Sequence, residues 1–106
     1  MDTPKVLTRD EALSLVRRYK EVISARFDCE PRVYLFGSYS KGTANPWSDI
    51  DVAVILPGRE ITDHWEQSAD LWGDIRKVSV LIEPVLMEDN EDSMLYREVM
   101  RTGVAV

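Results

Sequence analysis

Apolar residues recur at helical spacing early in the chain. Ala12, Val16, Tyr19, Ile23 and Phe27 form one stripe. Thr8-Arg9-Asp10-Glu11 before them has the form of a capping box, so a helix is predicted from there to about Phe27. The pattern changes at Pro31. Val33-Tyr34-Leu35-Phe36 is too short for a helix, is rich in strand formers, and ends at Gly37. A second strand is predicted over Ile50–Leu56 and is closed by Pro57-Gly58. Asp63, with Glu66 three residues on, opens a helix to about Lys77 whose expected buried stripe is Trp65, Ala69, Trp72 and Ile75. Val78–Val85 reads as a third strand, and Pro84 suggests a sheet edge or an irregular end. Asn90–Asp92 can cap a last helix through Thr102, with Gly103 just past its end, and Val104–Val106 adds a short closing strand.

This order predicts an α/β (α+β) fold, a small mixed β-sheet packed with helices, and one domain over residues 1–106. A hydrophobic fraction of 44% and a charged fraction of 30% are ordinary for a water-soluble domain. The longest apolar run, Val52–Leu56, is far too short to span a membrane. Met1–Leu7 lacks the apolar segment of an export signal, and Cys29 is the sole cysteine, so a cytoplasmic protein with a packed or half-buried thiol is expected. The net charge of −6 and the lack of a basic stripe disfavour a long nucleic-acid substrate. Arg17, Arg18, Lys20 and Arg26 share a helix with Glu11 and Glu21, which reads as a solvated mixed-charge face.

Candidate chemistry concentrates between the first two strands. Asp49 and Asp51 stand one residue apart, so strand alternation puts both carboxylates on one face with Cα atoms roughly 6.5 Å apart. They repel each other unless a divalent cation lies between them, and carboxylate oxygens are the ligands Mg²⁺ prefers. An isolated Asp-x-Asp is more often a solvated strand start, but here it follows Gly37-Ser38 by ten residues. Gly37 leaves a strand where backbone can approach a ligand closely. Ser38 adds a hydroxyl and Lys41 a charge on a loop suited to phosphate. Thr43 stands where a Walker A loop requires Lys, so that class is excluded. Trp47 and Tyr39 can flank a base or pack the loop. His64, the only histidine, reads as surface, and one Cys with one His makes a zinc site implausible.

Leu35-Phe36-Gly37-Ser38 followed by Asp49-Ile50-Asp51-Val52 resembles the signature of the DNA polymerase beta-like nucleotidyltransferase superfamily. Within it, Gly37–Gly42 with Ser48–Asp51 resembles the minimal nucleotidyltransferases of prokaryotes, and Ile82-Glu83-Pro84 with Tyr96–Gly103 resembles their closing strand and helix. The resemblance implies the polymerase beta palm-like fold and a third acidic residue on a neighbouring strand. Glu83 matches it, with Glu88 and Asp89 as runners-up. It implies two Mg²⁺ ions on Asp49, Asp51 and Glu83, and an NTP, taken as ATP, held by Gly37, Ser38, Lys41 and Ser48. Lys41 departs from relatives that carry Arg and lacks its bidentate fork.

The reaction so implied is transfer of a nucleoside monophosphate to an acceptor hydroxyl. Nothing after the last helix builds an acceptor pocket, so a partner protein is expected to bring the acceptor. The family pairs with small helical HEPN proteins as antitoxin to toxin, and some members transfer AMP onto a partner tyrosine. Two other readings remain open. One is a non-catalytic antitoxin or binding module that acts by contact. The other is a stand-alone enzyme for a small molecule, with its pocket at a homodimer interface.

Overall fold

A computed structural model of the chain describes residues 6–58 and 61–106. Part of the segment expected to lack an export signal, residues 1–5, lies outside them. The elements follow in the order α1 (Arg9–Ser24), β1 (Arg32–Phe36), α2 (Ser38–Lys41), β2 (Ile50–Leu56), α3 (His64–Asp74), a 3₁₀ turn (Ile75–Lys77), β3 (Ile82–Glu88), α4 (Met94–Thr102) and β4 (Val104–Ala105). No described helix is long and apolar enough to cross a membrane.

The capping box forms as expected: Thr8 Oγ1 accepts from Glu11 N, and Thr8 N donates to Glu11 Oε1. The buried stripe of α1 is Ala12, Val16, Tyr19 and Ile23, but the helix stops at Ser24, short of Phe27. Asp63 caps α3 and Ser93, not Asn90–Asp92, caps α4.

The four strands lie in the order β3-β2-β1-β4. β1 runs antiparallel to both β2 and β4, while β2 and β3 are parallel across the α3 crossover. Pro84 sits in an edge strand, where its missing N–H costs no ladder bond on the open side. Strand alternation divides the core. Val33, Leu35, Ile50, Val52, Val54, Leu56, Ile82 and Leu86 pack with α1, α3 and Tyr39. Phe36, Ala53, Ile55 and Met87 pack with Val99 of α4 on the opposite face.

Two expectations are corrected. The third strand begins at Ile82, because Val78–Leu81 turn from the 3₁₀ segment into the sheet. Val78 N and Ser79 N both donate to Ile75 O, which delays the strand. Leu71 and Asp74 of α3 are buried, as is Ile75 of the 3₁₀ turn, the one member of the expected stripe that is, whereas Trp65 is 88% exposed and Trp72 44% exposed. The tryptophans do share a helical stripe, but that stripe faces away from the sheet. Periodicity marks a stripe without saying what covers it.

Asp74 lies on the buried side. It is 2% exposed and receives Nε and Nη2 of Arg26, the latter at 2.8 Å, while Lys77 Nζ lies 3.2 Å away. The Arg26 hydrogen bonds hold its carboxyl below the usual range. Alongside, Tyr19 Oη donates to Leu71 O at 2.7 Å. Burial, then the Asp74 charge, pushes that hydroxyl up, so it stays a donor. Arg26, just past the end of α1, therefore ties that helix to α3 while its side chain stays 39% exposed.

Candidate active site

Because β1 opposes β2 and β2 parallels β3, the end of β1 meets the starts of the other two. The registers are Phe36 against Asp51 and Asp51 against Glu83. Alternation places Asp51 on the face of Ala53 and Ile55, and Glu83 on that of Val85 and Met87. The two half-buried carboxylates therefore stand abreast on adjacent strands, within hydrogen-bonding reach. Burial, then the Glu83 charge and hydrogen bond, then the Asp49 charge push the Asp51 carboxyl up to about 6. Asp49 lies outside the strand, one residue before β2, and is exposed.

Gly37 closes this corner. Its φ of 75° and ψ of −150° belong to a region that essentially only glycine enters. A Cβ there would meet Asp51 Oδ2 at 2.1 Å. The same residue is the N-cap of α2 and supplies no side-chain cap: its carbonyl accepts from Lys41 N at 3.1 Å, and it offers no side-chain acceptor to the N–H groups of Ser38–Ser40. Gly37, Ser38, Asp49, Asp51 and Glu83 thus belong to one corner of the sheet.

Other expected residues are engaged elsewhere. Lys41 Nζ lies 2.6 Å from Glu98 Oε1 on α4, and Arg101 Nη2 lies 2.5 Å from Glu98 Oε2. Those two cations hold the Glu98 carboxyl down at about 2. Ser48 serves its own turn, with Oγ accepting from Asn45 N at 2.9 Å. Glu88 and Asp89 are at the far end of β3, where Glu88 Oε1 accepts from Ile61 N and Asp89 pairs with Arg32 and Tyr96. Tyr39 is buried, its hydroxyl accepting from Leu7 N at 3.4 Å, so it packs the core. Trp47 is 80% exposed beside Asp49. His64 is on the surface, with Nε2 3.2 Å from Leu86 O, and Cys29 is partly buried.

Glu98 was not singled out from the sequence. Its only signal was the i,i+3 spacing to Arg101 in the last helix, an ordinary surface pattern. The second tie between α2 and α4, Ser40 Oγ donating to Thr102 O at 2.6 Å, had no sequence signal.

The donor set at the corner fits Mg²⁺ in chemistry, being carboxylate oxygen throughout, and Asp51 and Glu83 fit it in register. Among the described residues no group of three or more His, Cys, Asp or Glu is gathered closely enough to hold a metal. Asp49 reaches Asp51 only through its charge. A depression of about 520 Å³ between α1 and α3, lined by Arg26, Asp63, Glu66 and Asp70 among others, includes none of these carboxylates.

The sequence profile of the nucleotidyltransferase domain matches residues 16–104, almost the whole of this architecture. The chain belongs to that family. Two Methanocaldococcus jannaschii proteins assigned as protein adenylyltransferases are similar to it. The first is 37% identical over 65 residues, covering 58% of this chain and 44% of the relative. This chain thus matches less than half the length of that relative. The second is 26% identical over 98 residues, covering 91% of this chain and 99% of the relative. Among solved structures, a Sulfolobus solfataricus protein assigned as a nucleotidyltransferase superposes with a TM-score of 0.66 at 19% identity, covering 98% of this chain and 90% of that one. A toxin–antitoxin structure, MntA–HpeT, superposes with a TM-score of 0.51 at 25% identity, covering 95% and 72%. The sheet and its helices are a nucleotidyltransferase fold.

Proposed function

We propose that this domain transfers AMP from ATP to a hydroxyl group on a partner protein, with Asp51, Glu83 and Asp49 as its acidic centre. The observation that carries the reading is the Asp51–Glu83 pair, set abreast and partly buried against a glycine that leaves no room for a side chain. A fold would not retain two such carboxylates for stability, since each disfavours the charge of the other. The family, and relatives assigned as protein adenylyltransferases, support the nucleotide and the acceptor class.

Asp49, Asp51 and Glu83 would hold the Mg²⁺ ions, which supply positive charge against the carboxylates and the nucleotide phosphates. The backbone of Gly37 and Ser38 receives the β and γ phosphates, using the uncapped first turn of α2. Glu83 accepts the proton of the acceptor hydroxyl. The freed oxygen bonds to the α-phosphorus as the bond from that phosphorus to the bridging oxygen breaks, and pyrophosphate leaves. Lys41 and Ser48 support the loop from behind, through Glu98 and Asn45, in place of the direct phosphate contacts expected of them.

The likeness to MntA–HpeT supports a small helical HEPN-type protein as the partner that brings the hydroxyl. Co-expression with the neighbouring reading frame tests this. A co-purified partner should gain an AMP adduct, by intact mass, when ATP and Mg²⁺ are added. A partner that binds and stays unmodified would favour action by contact alone.

A further inference from the structure

The turn that leads into β3 carries apolar residues at its tip. Ile82 N donates to Ser79 O at 3.2 Å, which closes a four-residue turn with Val80 and Leu81 at its centre. Ser79 Oγ accepts from Leu81 N at 3.2 Å and braces the same turn. Gly, Pro, Asn, Asp and Ser dominate such turns. Here two branched apolar residues hold the centre, with Val80 74% and Leu81 41% exposed. Ser79 N donates to Ile75 O at 2.7 Å, and Leu81 O accepts from Ile50 N at 2.8 Å. With those backbone groups engaged inside the domain, what the turn offers outward is mainly its two side chains.

The turn stands beside the acidic centre. Its bond from Leu81 O to Ile50 N sets it against the residue that follows Asp49, and Glu83 comes two residues after Leu81. Across the sheet the order is Gly37 at the end of β1, Asp51 in β2 and Glu83 in β3. In the transfer proposed above, pyrophosphate leaves on the Gly37 side. An in-line displacement brings the attacking oxygen from the opposite side. That is the side of β3, where Glu83 takes the proton and the Val80–Leu81 turn borders the approach.

We propose that Val80 and Leu81 determine acceptor specificity, packing against apolar side chains that flank the acceptor hydroxyl on the partner protein. This inference rests on the transfer reading of the site, and it adds the surface that the acceptor covers and the chemistry of its surroundings. A sugar or a highly charged small molecule would cover both side chains without an apolar match and gain little from them. The reaction keeps the balance already given: the acceptor oxygen bonds to the α-phosphorus, its proton goes to Glu83, and pyrophosphate leaves.

Label transfer from α-labelled ATP, with Mg²⁺ and varied concentrations of the co-purified partner, tests the proposal. Val80→Ser combined with Leu81→Asn should raise KM for the partner about tenfold or more. Its kcat and its KM for ATP should stay at the parent values. Val80→Ile keeps the apolar surface and should retain the parent KM. Serine and asparagine suit turn centres, so the thermal melt of the double variant should match the parent. An unchanged KM for the partner in the double variant would overturn the proposal and leave transfer itself standing. A lowered kcat or a raised KM for ATP, with KM for the partner unchanged, would also overturn it. A parent chain that labels no partner would instead sink the transfer reading, and this inference with it.

Discussion

Gly37 and Asp51 are in such close approach that no other residue can replace the glycine without moving the carboxylate. A Cβ on Gly37 would stand 2.1 Å from Asp51 Oδ2. Gly37→Ala should cost about 1–3 kcal/mol in stability, because the backbone lies in a glycine-only region. Transfer should fall about 100-fold or more, since a shift of about 1 Å in a reacting group has that effect. Thermal melts and initial rates on the same preparation separate the two effects.

Asp51→Asn should make the metal-free protein more stable while it abolishes transfer. The Asp51 pKa of about 6 stands above its ordinary value of 3.8. The folded state therefore binds the extra proton, and stability falls as pH rises from the lower value through the higher one. A shift of this size is worth up to about 3 kcal/mol. Screening at a half-exposed position reduces the gain from Asp51→Asn at pH 7 to about 1 kcal/mol. Urea melts in chelator at pH 5 and pH 7.5 check this: the variant should gain on the parent at the higher pH.

Arg26→Met should destabilise the domain by about 3 kcal/mol, since it leaves Asp74 buried with only Lys77 as a partner. The Asp74 pKa lies below its unfolded value, so its contribution is present above the ordinary carboxylate range. It is lost as pH falls through the folded pKa. Acid unfolding of the parent should begin below that range, and Asp74→Asn should flatten it.

Lys41 and Glu98 offer a test of support against direct contact. If the 2.6 Å ion pair is what Lys41 provides, then Lys41→Gln and Glu98→Gln should lower the melting temperature and the rate alike. The double variant should then be no worse than either single one. A loss of ATP affinity confined to Lys41→Gln would instead return Lys41 to the phosphates.

The sequence carried the strands of the site well. Val33–Phe36 and Ile50–Leu56 are short, apolar and bounded by Gly and Pro, so their ends were legible within a residue. Glu83 came from the family resemblance, which implies a third acid on a neighbouring strand, and the register sets it beside Asp51. What was not legible depended on partners distant in the chain. Trp65 and Trp72 have the spacing of a core stripe, yet the helix buries Leu71 and Asp74 instead, and the partner of Asp74, Arg26, lies 48 residues away. Lys41 looked free because its partner Glu98 lies on the last helix.

The most direct test of the acidic centre is label transfer from α-labelled ATP to the co-purified partner, with Mg²⁺ or with chelator. The parent chain, Asp51→Asn and Glu83→Gln should be compared, with folding confirmed by circular dichroism. The parent should label the partner only with Mg²⁺, and both variants should fall to background while remaining folded. Full labelling by either folded variant would contradict the account.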